Sequence, residues 1–221
     1  MVFPQTEILK KIEQAGPTWR TLVTHPELIP VNSNTPYHLS MIDGYASIYD
    51  GRSGQMIHLA NTRLPLTTIE SYPRIVFQTE YNSSLIDLLN IKYVLALKEI
   101  KNEKLKLIMK EGKTILYENK NVLSKAFFVQ KYEVDSNDIE LANKMLKGNL
   151  AQVGFLEKNP EVKNEEIKVC KVEIVIYQDN HLLLKTENEA PGILVLTDNF
   201  DPGWQAFMDG EKKKFYEPTS T

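Results

Sequence analysis

Ser83-Ser84-Leu85-Ile86-Asp87-Leu88-Leu89-Asn90-Ile91-Lys92-Tyr93-Val94-Leu95-Ala96-Leu97 is the stretch that decides the fold. Ser83 and Ser84 are N-cap residue types, whose hydroxyls accept from the first free amides of a helix. The spacing predicts a short helix over Leu85–Leu89. Asn90 suits the left-handed position that ends a helix. Ile91–Leu97 then barely alternates, and only Lys92 interrupts it, as in a strand buried on both faces. A strand covered on both sides needs layers above and below it, so the chain reads as a mixed α and β protein.

The segments on either side supply those layers. Upstream, Thr6 to Ala15 reads as a helix capped by Thr6, with Ile8, Leu9 and Ile12 as its apolar stripe and Gly16-Pro17 as its stop. Trp19 to Thr24 alternates as a strand, and His25 to Pro36 is a loop. A short strand over Tyr37–Ile42, a turn at Asp43-Gly44, a loop holding Tyr45 and Tyr49, and a helix over Gly54–Ala60 follow. Downstream, Leu105–Met109 and Thr114–Tyr117 flank Glu111-Gly112 as a hairpin. Lys125–Tyr132 reads as one strand. Asp135 or Ser136 is expected to cap a helix that runs to Lys147 and stops at Gly148, with Ile139, Ala142, Met145 and Leu146 as its apolar side.

From about Ile167 the helical patterns stop. Val169, Lys171, Glu173 and Val175 alternate with Cys170, Val172, Ile174 and Ile176. His181–Thr186, Gly192–Thr197, Trp204–Met208 and Lys213–Tyr216 follow as short strands between turn sequences, which points to an antiparallel, sandwich-like sheet. The expected organisation is therefore α+β: a mixed α/β domain over 1–150, a polar linker over 149–166, and an incomplete β-sandwich-like domain over 165–221.

Composition narrows the function classes. The 221 residues are 42% hydrophobic and 25% charged, ordinary values for a globular chain. The net charge of −3 gives no electrostatic reason to expect a nucleic-acid partner. One cysteine, Cys170, excludes an intramolecular disulfide and a cysteine-based zinc site. No run approaches the ~20 apolar residues that a membrane span needs, and Met1–Ala15 lacks the apolar core of a signal peptide.

Searching for chemistry yields no site residue: no catalytic, cofactor-binding or metal-binding position is assigned, and no cofactor is expected. His25, His38, His58 and His181 lie at no metal-ligand spacing. Gly51 and Gly54 do not make a phosphate loop, no nucleophile elbow exists, and the acidic residues read as solvated surface. Two weaker features remain. Lys98–Lys113 holds six lysines against three acids, which suits either an anionic lipid or polymer surface or, more simply, a guarded sheet edge. Trp204, Phe207, Phe215 and Tyr216 sit on adjacent expected strands. Core filling is the usual fate of such rings, and Trp204 is expected to be buried; an exposed platform would instead mark a sugar-binding module.

Three segments in this order resemble one family: Ser84–Leu95, Tyr117–Val129, and Gly192–Gly210 with its Thr197-Asp198-Asn199-Phe200-Asp201-Pro202-Gly203-Trp204 core. Trp19-Arg20 and Asp43-Gly44-Tyr45 match looser landmarks upstream. The family is the YfhO-like bacterial membrane proteins, relatives of polytopic glycosyltransferases that use lipid-linked sugar donors. The resemblance is to their carboxy-terminal, extracytoplasmic region and covers most of the chain. One departure is Ser124-Lys125 where the family has proline-arginine. The resemblance implies a parent with many membrane helices, acting in envelope glycosylation of the lipoteichoic acid type. It places the catalytic acid in an early extracytoplasmic loop between membrane helices, outside this chain, so this chain by itself is not expected to be an enzyme. It implies as partners the transmembrane part of the parent and an envelope glycan or glycolipid, with no nucleic acid. It also implies a location on the outer face of the cell membrane and further strands after the Asp209-Gly210 hairpin. A carbohydrate-binding module is the alternative reading.

Overall fold

A computed structural model describes residues 4–30, 32–42, 44–45, 51–65, 75–76, 78, 80–160, 162–163 and 170–215. The elements in chain order are α1 (Glu7–Glu13), β1 (Arg20–Val23), a 3-10 turn (Thr35–Tyr37), β2 (Ser40–Met41), β3 (Gly44–Tyr45), α2 (Gly51–Thr62), β4 (Ile75–Val76), α3 (Ser84–Leu88), β5 (Ile91–Ala96), β6 (Leu105–Glu111), β7 (Thr114–Asn119), β8 (Ala126–Val129), β9 (Lys131–Val134), α4 (Asp138–Lys147), β10 (Val153–Leu156), β11 (Cys170–Gln178), β12 (His181–Asn188), β13 (Ile193–Leu196), β14 (Ala206–Met208) and β15 (Glu211–Lys213). Helices and strands are both present in a mixed arrangement, and the protein is α+β.

The organising layer is a five-stranded mixed sheet in the order β2-β1-β5-β7-β6. β1 runs parallel to β2 and β5, and β7 runs antiparallel to β5 and β6. β5 lies at its centre and is buried on both faces, as its sequence requires. Tyr93 and Leu95 pack with Ile8, Leu9 and Ile12 of α1 on one side. Val94 and Ala96 pack with Leu22, Ile86, Ile115 and Tyr117 on the other. A third cluster joins Leu59 and Ala60 of α2, Leu85 of α3, and Met145 of α4.

Local signals set the entry to each element. Thr6 Oγ1 accepts from the Leu9 amide at the start of α1. The Glu111 carboxylate, at the end of β6, accepts from the Glu7 and Ile8 amides of the same turn. Those backbone bonds hold its pKa below the ordinary value. Ser83 caps α3 by accepting from the Leu85 amide, and Asn90 adopts φ +60° before β5.

Several expectations are corrected. Lys125–Tyr132 is two strands, because the chain changes partners at Gln130: β8 pairs antiparallel with β13, and β9 pairs parallel with β10. The amides of Gln130 and Lys131 both donate to the Gln152 carbonyl at that break. Asn137, rather than Asp135 or Ser136, caps α4, accepting from the Ile139 and Glu140 amides. Asp135 instead accepts from the Asn137 amide and pairs with Lys144. The buried stripe of α4 is Leu141 and Met145, while Ile139 is exposed. The segment 149–166, read as a linker, carries the buried strand β10. Asp43, Tyr49, Tyr216 and the end of that segment, residues 161 and 164–166, lie outside the described residues.

The carboxy-terminal strands are antiparallel, in separate two-stranded pairs: β11-β12, β13-β8 and β14-β15. None of residues 170–215 is fully buried. β13 is the strand that pairs with the first part of the chain, through Ile193–Val129, Leu194–Phe128, Val195–Phe127 and Leu196–Ala126. No helix among the described residues is long and apolar enough to cross a membrane.

Candidate functional site

Two polar networks join residues that lie far apart in the sequence. The first centres on Asp198, which follows β13. Arg20, at the start of β1, donates through Nη2 to Asp198 Oδ1 at 2.9 Å and through Nη1 to the carbonyls of Thr197 (2.7 Å) and Leu89 (3.1 Å). Lys125, just before β8, pairs with the same carboxylate oxygen. The Tyr177 hydroxyl of β11 donates to Asp198 Oδ2 at 3.3 Å, and the Lys125 ammonium lies 5.3 Å from the centre of the Tyr177 ring. Side-chain exposure is 2% for Lys125, 13% for Arg20 and 28% for Asp198, so the charges are largely withdrawn from water.

Two cations therefore share one carboxylate. Burial, reinforced by the Arg20 guanidinium and opposed by Asp198, pushes the Lys125 pKa down to about 8. Burial and the Asp198 charge push the Tyr177 hydroxyl up to about 12. A lysine of lowered pKa can serve as a base. This one is sealed against Asp198 and the Tyr177 ring, so its geometry is that of a clamp between β1, β8, β11 and β13.

The second network lies under α3. Asp87 pairs with Lys104 at 2.7 Å and accepts from Asn119 Nδ2 at 2.7 Å. Asn119 also donates to the Ile91 carbonyl, Lys104 to the Ser83 carbonyl, and Asn90 Nδ2 to the Leu123 carbonyl. Burial raises the Asp87 carboxyl above its ordinary value against the pull of Lys104 and Asn119. Of the six lysines in Lys98–Lys113, Lys104 is thus a buried structural cation. Lys98, Lys101, Lys106, Lys110 and Lys113 are exposed around β6, the edge strand of the main sheet.

A cleft of about 420 Å³ opens beside the β14-β15 hairpin, lined by Phe200, Trp204, Phe215, Lys212, Lys213 and Lys214 together with Gln205 and Ala206. Phe200 and Phe215 meet edge to face at 5.8 Å. The expected burial of these aromatics is corrected: Trp204 is half-buried, and Phe215 and Phe207 are 39% and 62% exposed. The reason is topological, since among the described residues β14 and β15 pair only with each other. Trp204→Ala is accordingly expected to cost only about 1 kcal/mol, as at a partly solvated site, and a thermal melt reads this directly.

His25 lies in the loop after β1, His38 follows the 3-10 turn, His58 is on α2 and His181 opens β12. Among the described residues no group of three His, Cys, Asp or Glu side chains is placed to hold a metal ion. Compared with family models, curated proteins and solved structures, the chain finds no match.

Proposed function

We propose that this chain is an accessory, extracytoplasmic domain of a multi-pass membrane protein resembling the glycosyltransferases of cell-envelope glycosylation, with a structural role beside the donor or acceptor entrance. The observation that carries this reading is where the resembling segments go. Of the segments Ser84–Leu95, Tyr117–Val129 and Gly192–Gly210, the residues Asp87, Leu89, Asn90, Ile91, Asn119, Leu123, Lys125, Thr197 and Asp198 enter the Asp87 and Asp198 networks, whose side chains bind one another and the backbone. Motifs spent on holding strands together account for a fold and leave the chemistry to the membrane part of the parent. A second reading, a carbohydrate-binding module, is favoured by the solvent-facing rings of Phe200, Trp204 and Phe215 in their cleft.

The test is topological and chemical. Lys171 is exposed on β11, so Lys171→Cys in a Cys170→Ser background adds an accessible thiol to this chain, and its labelling is read as the gain over the same parent carrying Lys171. A membrane-impermeant maleimide is expected to label it in intact cells; labelling only after lysis overturns the assignment. The isolated chain is expected to give no product with lipid-linked or nucleotide-linked sugars. Turnover abolished by replacing one carboxylate would make it an enzyme instead.

A further inference from the structure

Resting on the extracytoplasmic reading above, we infer that Asn82 is a glycosylation site, its side-chain amide accepting a sugar from a lipid-diphosphate-linked donor. Asn82-Ser83-Ser84 is the one Asn-x-Ser/Thr triplet in the 221 residues, and that triplet is the acceptor pattern for N-linked sugars on exported chains. Glu80 stands two positions before the asparagine, so the segment reads Glu-x-Asn-x-Ser, the longer, acid-preceded form of the acceptor.

The fold leaves the two groups that this chemistry needs unspent. Asn82 is exposed, in the bend that leads into α3. Its Oδ1 accepts from Asn102 Nδ2, and its backbone amide donates to Glu80 Oε1. Its own Nδ2, the atom that carries the sugar, has no partner among the described residues. Asn90 and Asn119 show the contrast: both are buried, and both donate through Nδ2 to backbone carbonyls. The serines divide in the same way. Ser83 caps α3 by accepting from the Leu85 amide, a structural task. The Ser84 hydroxyl makes no hydrogen bond among the described residues, which leaves it for a transferase to read. In the transfer, Nδ2 forms a bond to the anomeric carbon of the first sugar. The bond from that carbon to the diphosphate breaks, the lipid diphosphate leaves with the electron pair, and one amide proton passes to a base of the transferase. Ser83 is buried in the folded chain, so the transfer precedes the docking of α3, and the finished glycan projects from the exposed Asn82 side chain.

The experiment uses the parent protein purified from the membranes of its own cells and digested with trypsin. Residues 75–92 form one peptide, with no lysine or arginine before Lys92. Tandem mass spectrometry is expected to find that peptide with sugar fragment ions and with the added mass on Asn82. Ser84→Ala is expected to abolish the added mass and Ser84→Thr to keep it. Neither change is expected to move Tm, because Ser83 alone supplies the cap. An unmodified peptide in a parent whose Lys171→Cys thiol is labelled from outside overturns the glycosylation and leaves the extracytoplasmic reading in place. An unmodified peptide together with labelling only after lysis overturns both. Added mass that survives Ser84→Ala, or that maps to the Ser83 or Ser84 hydroxyl, also overturns the assignment of Asn82 as an amide acceptor.

Discussion

Replacing Asp198 by alanine is expected to destabilise the protein by about 3–5 kcal/mol, the usual consequence of removing one partner from a buried ion pair. The magnitude follows from what is left behind. Arg20 and Lys125 would face each other with no anion between them, at 13% and 2% side-chain exposure. Tyr177 would also lose its hydrogen-bond acceptor. At this chain length, 3–5 kcal/mol corresponds to a fall in Tm of roughly 10 °C. The damage should be local first. β13 is tied to β8 by four residue pairs, and none of residues 170–215 is fully buried, so the Asp198 clamp is a large share of what holds the carboxy-terminal strands to the main sheet. Hydrogen exchange is therefore expected to accelerate at Ile193–Leu196 well before it does at β5. Asp198→Asn keeps the volume but not the charge, and is expected to lose most of the same stability. A change below about 1 kcal/mol for Asp198→Ala would place the pair with exposed salt bridges, whose worth is of that size.

How much of this was legible beforehand depends on the range of the interactions involved. The cap at Ser83, the left-handed Asn90 and the doubly buried β5 follow from contacts within a few residues, and the sequence pattern carries them. The glycine turn of the β6-β7 hairpin is local in the same way, with Gly112 at φ +57°. The exchange of partners at Gln130 is not local. It depends on β10, some twenty residues later, presenting an edge to β9, and on β13 arriving at β8. Asp135, Ser136, Asn137 and Asp138 are all cap-type residues, so only the geometry of α4 chooses among them. The Asp198 clamp draws on positions 20, 125, 177 and 198, and no spacing rule links them. A single signal was available: Lys125 stands next to the apolar run Ala126–Val129, where a cation needs a partner if the run is buried. Trp204 is half-buried where a covered ring is expected, because the β14-β15 hairpin that follows it pairs, among the described residues, only with itself.

Stability is expected to rise with pH between about 8 and 10, against the usual trend for a protein carrying surface ion pairs. The Lys125 pKa in the folded state is about 8, below the 10.5 of an unperturbed lysine. Between those values the unfolded chain binds more protons than the folded one, so the slope of unfolding free energy against pH is positive. Below pH 8 the folded state carries the full cost of a buried, doubly crowded ammonium. Raising the pH removes that proton and leaves Asp198 paired with Arg20 alone. The gain from this group is on the order of 2–3 kcal/mol by pH 10. Tyr177 acts in the opposite sense and later: its folded pKa of about 12 exceeds the ordinary tyrosine value of 10.0, so its contribution is lost as pH climbs from 10 to 12. Cys170, raised above 9.0 by burial, also opposes the rise, and a Cys170→Ser background removes it. Lys10, Lys110 and Lys144 are held above 10.5 by Glu7, Glu99 and Asp135 and titrate after the window closes. Urea unfolding of the Cys170→Ser protein at pH 7, 8, 9 and 10 is the measurement. Lys125→Met fills the same space without a charge and is expected to flatten the curve across that range, while gaining stability at pH 7, as apolar replacements of buried ions often do. A flat wild-type profile would mean that Asp198 fully compensates Lys125, and the clamp would then be a matched pair with Arg20 as the bystander.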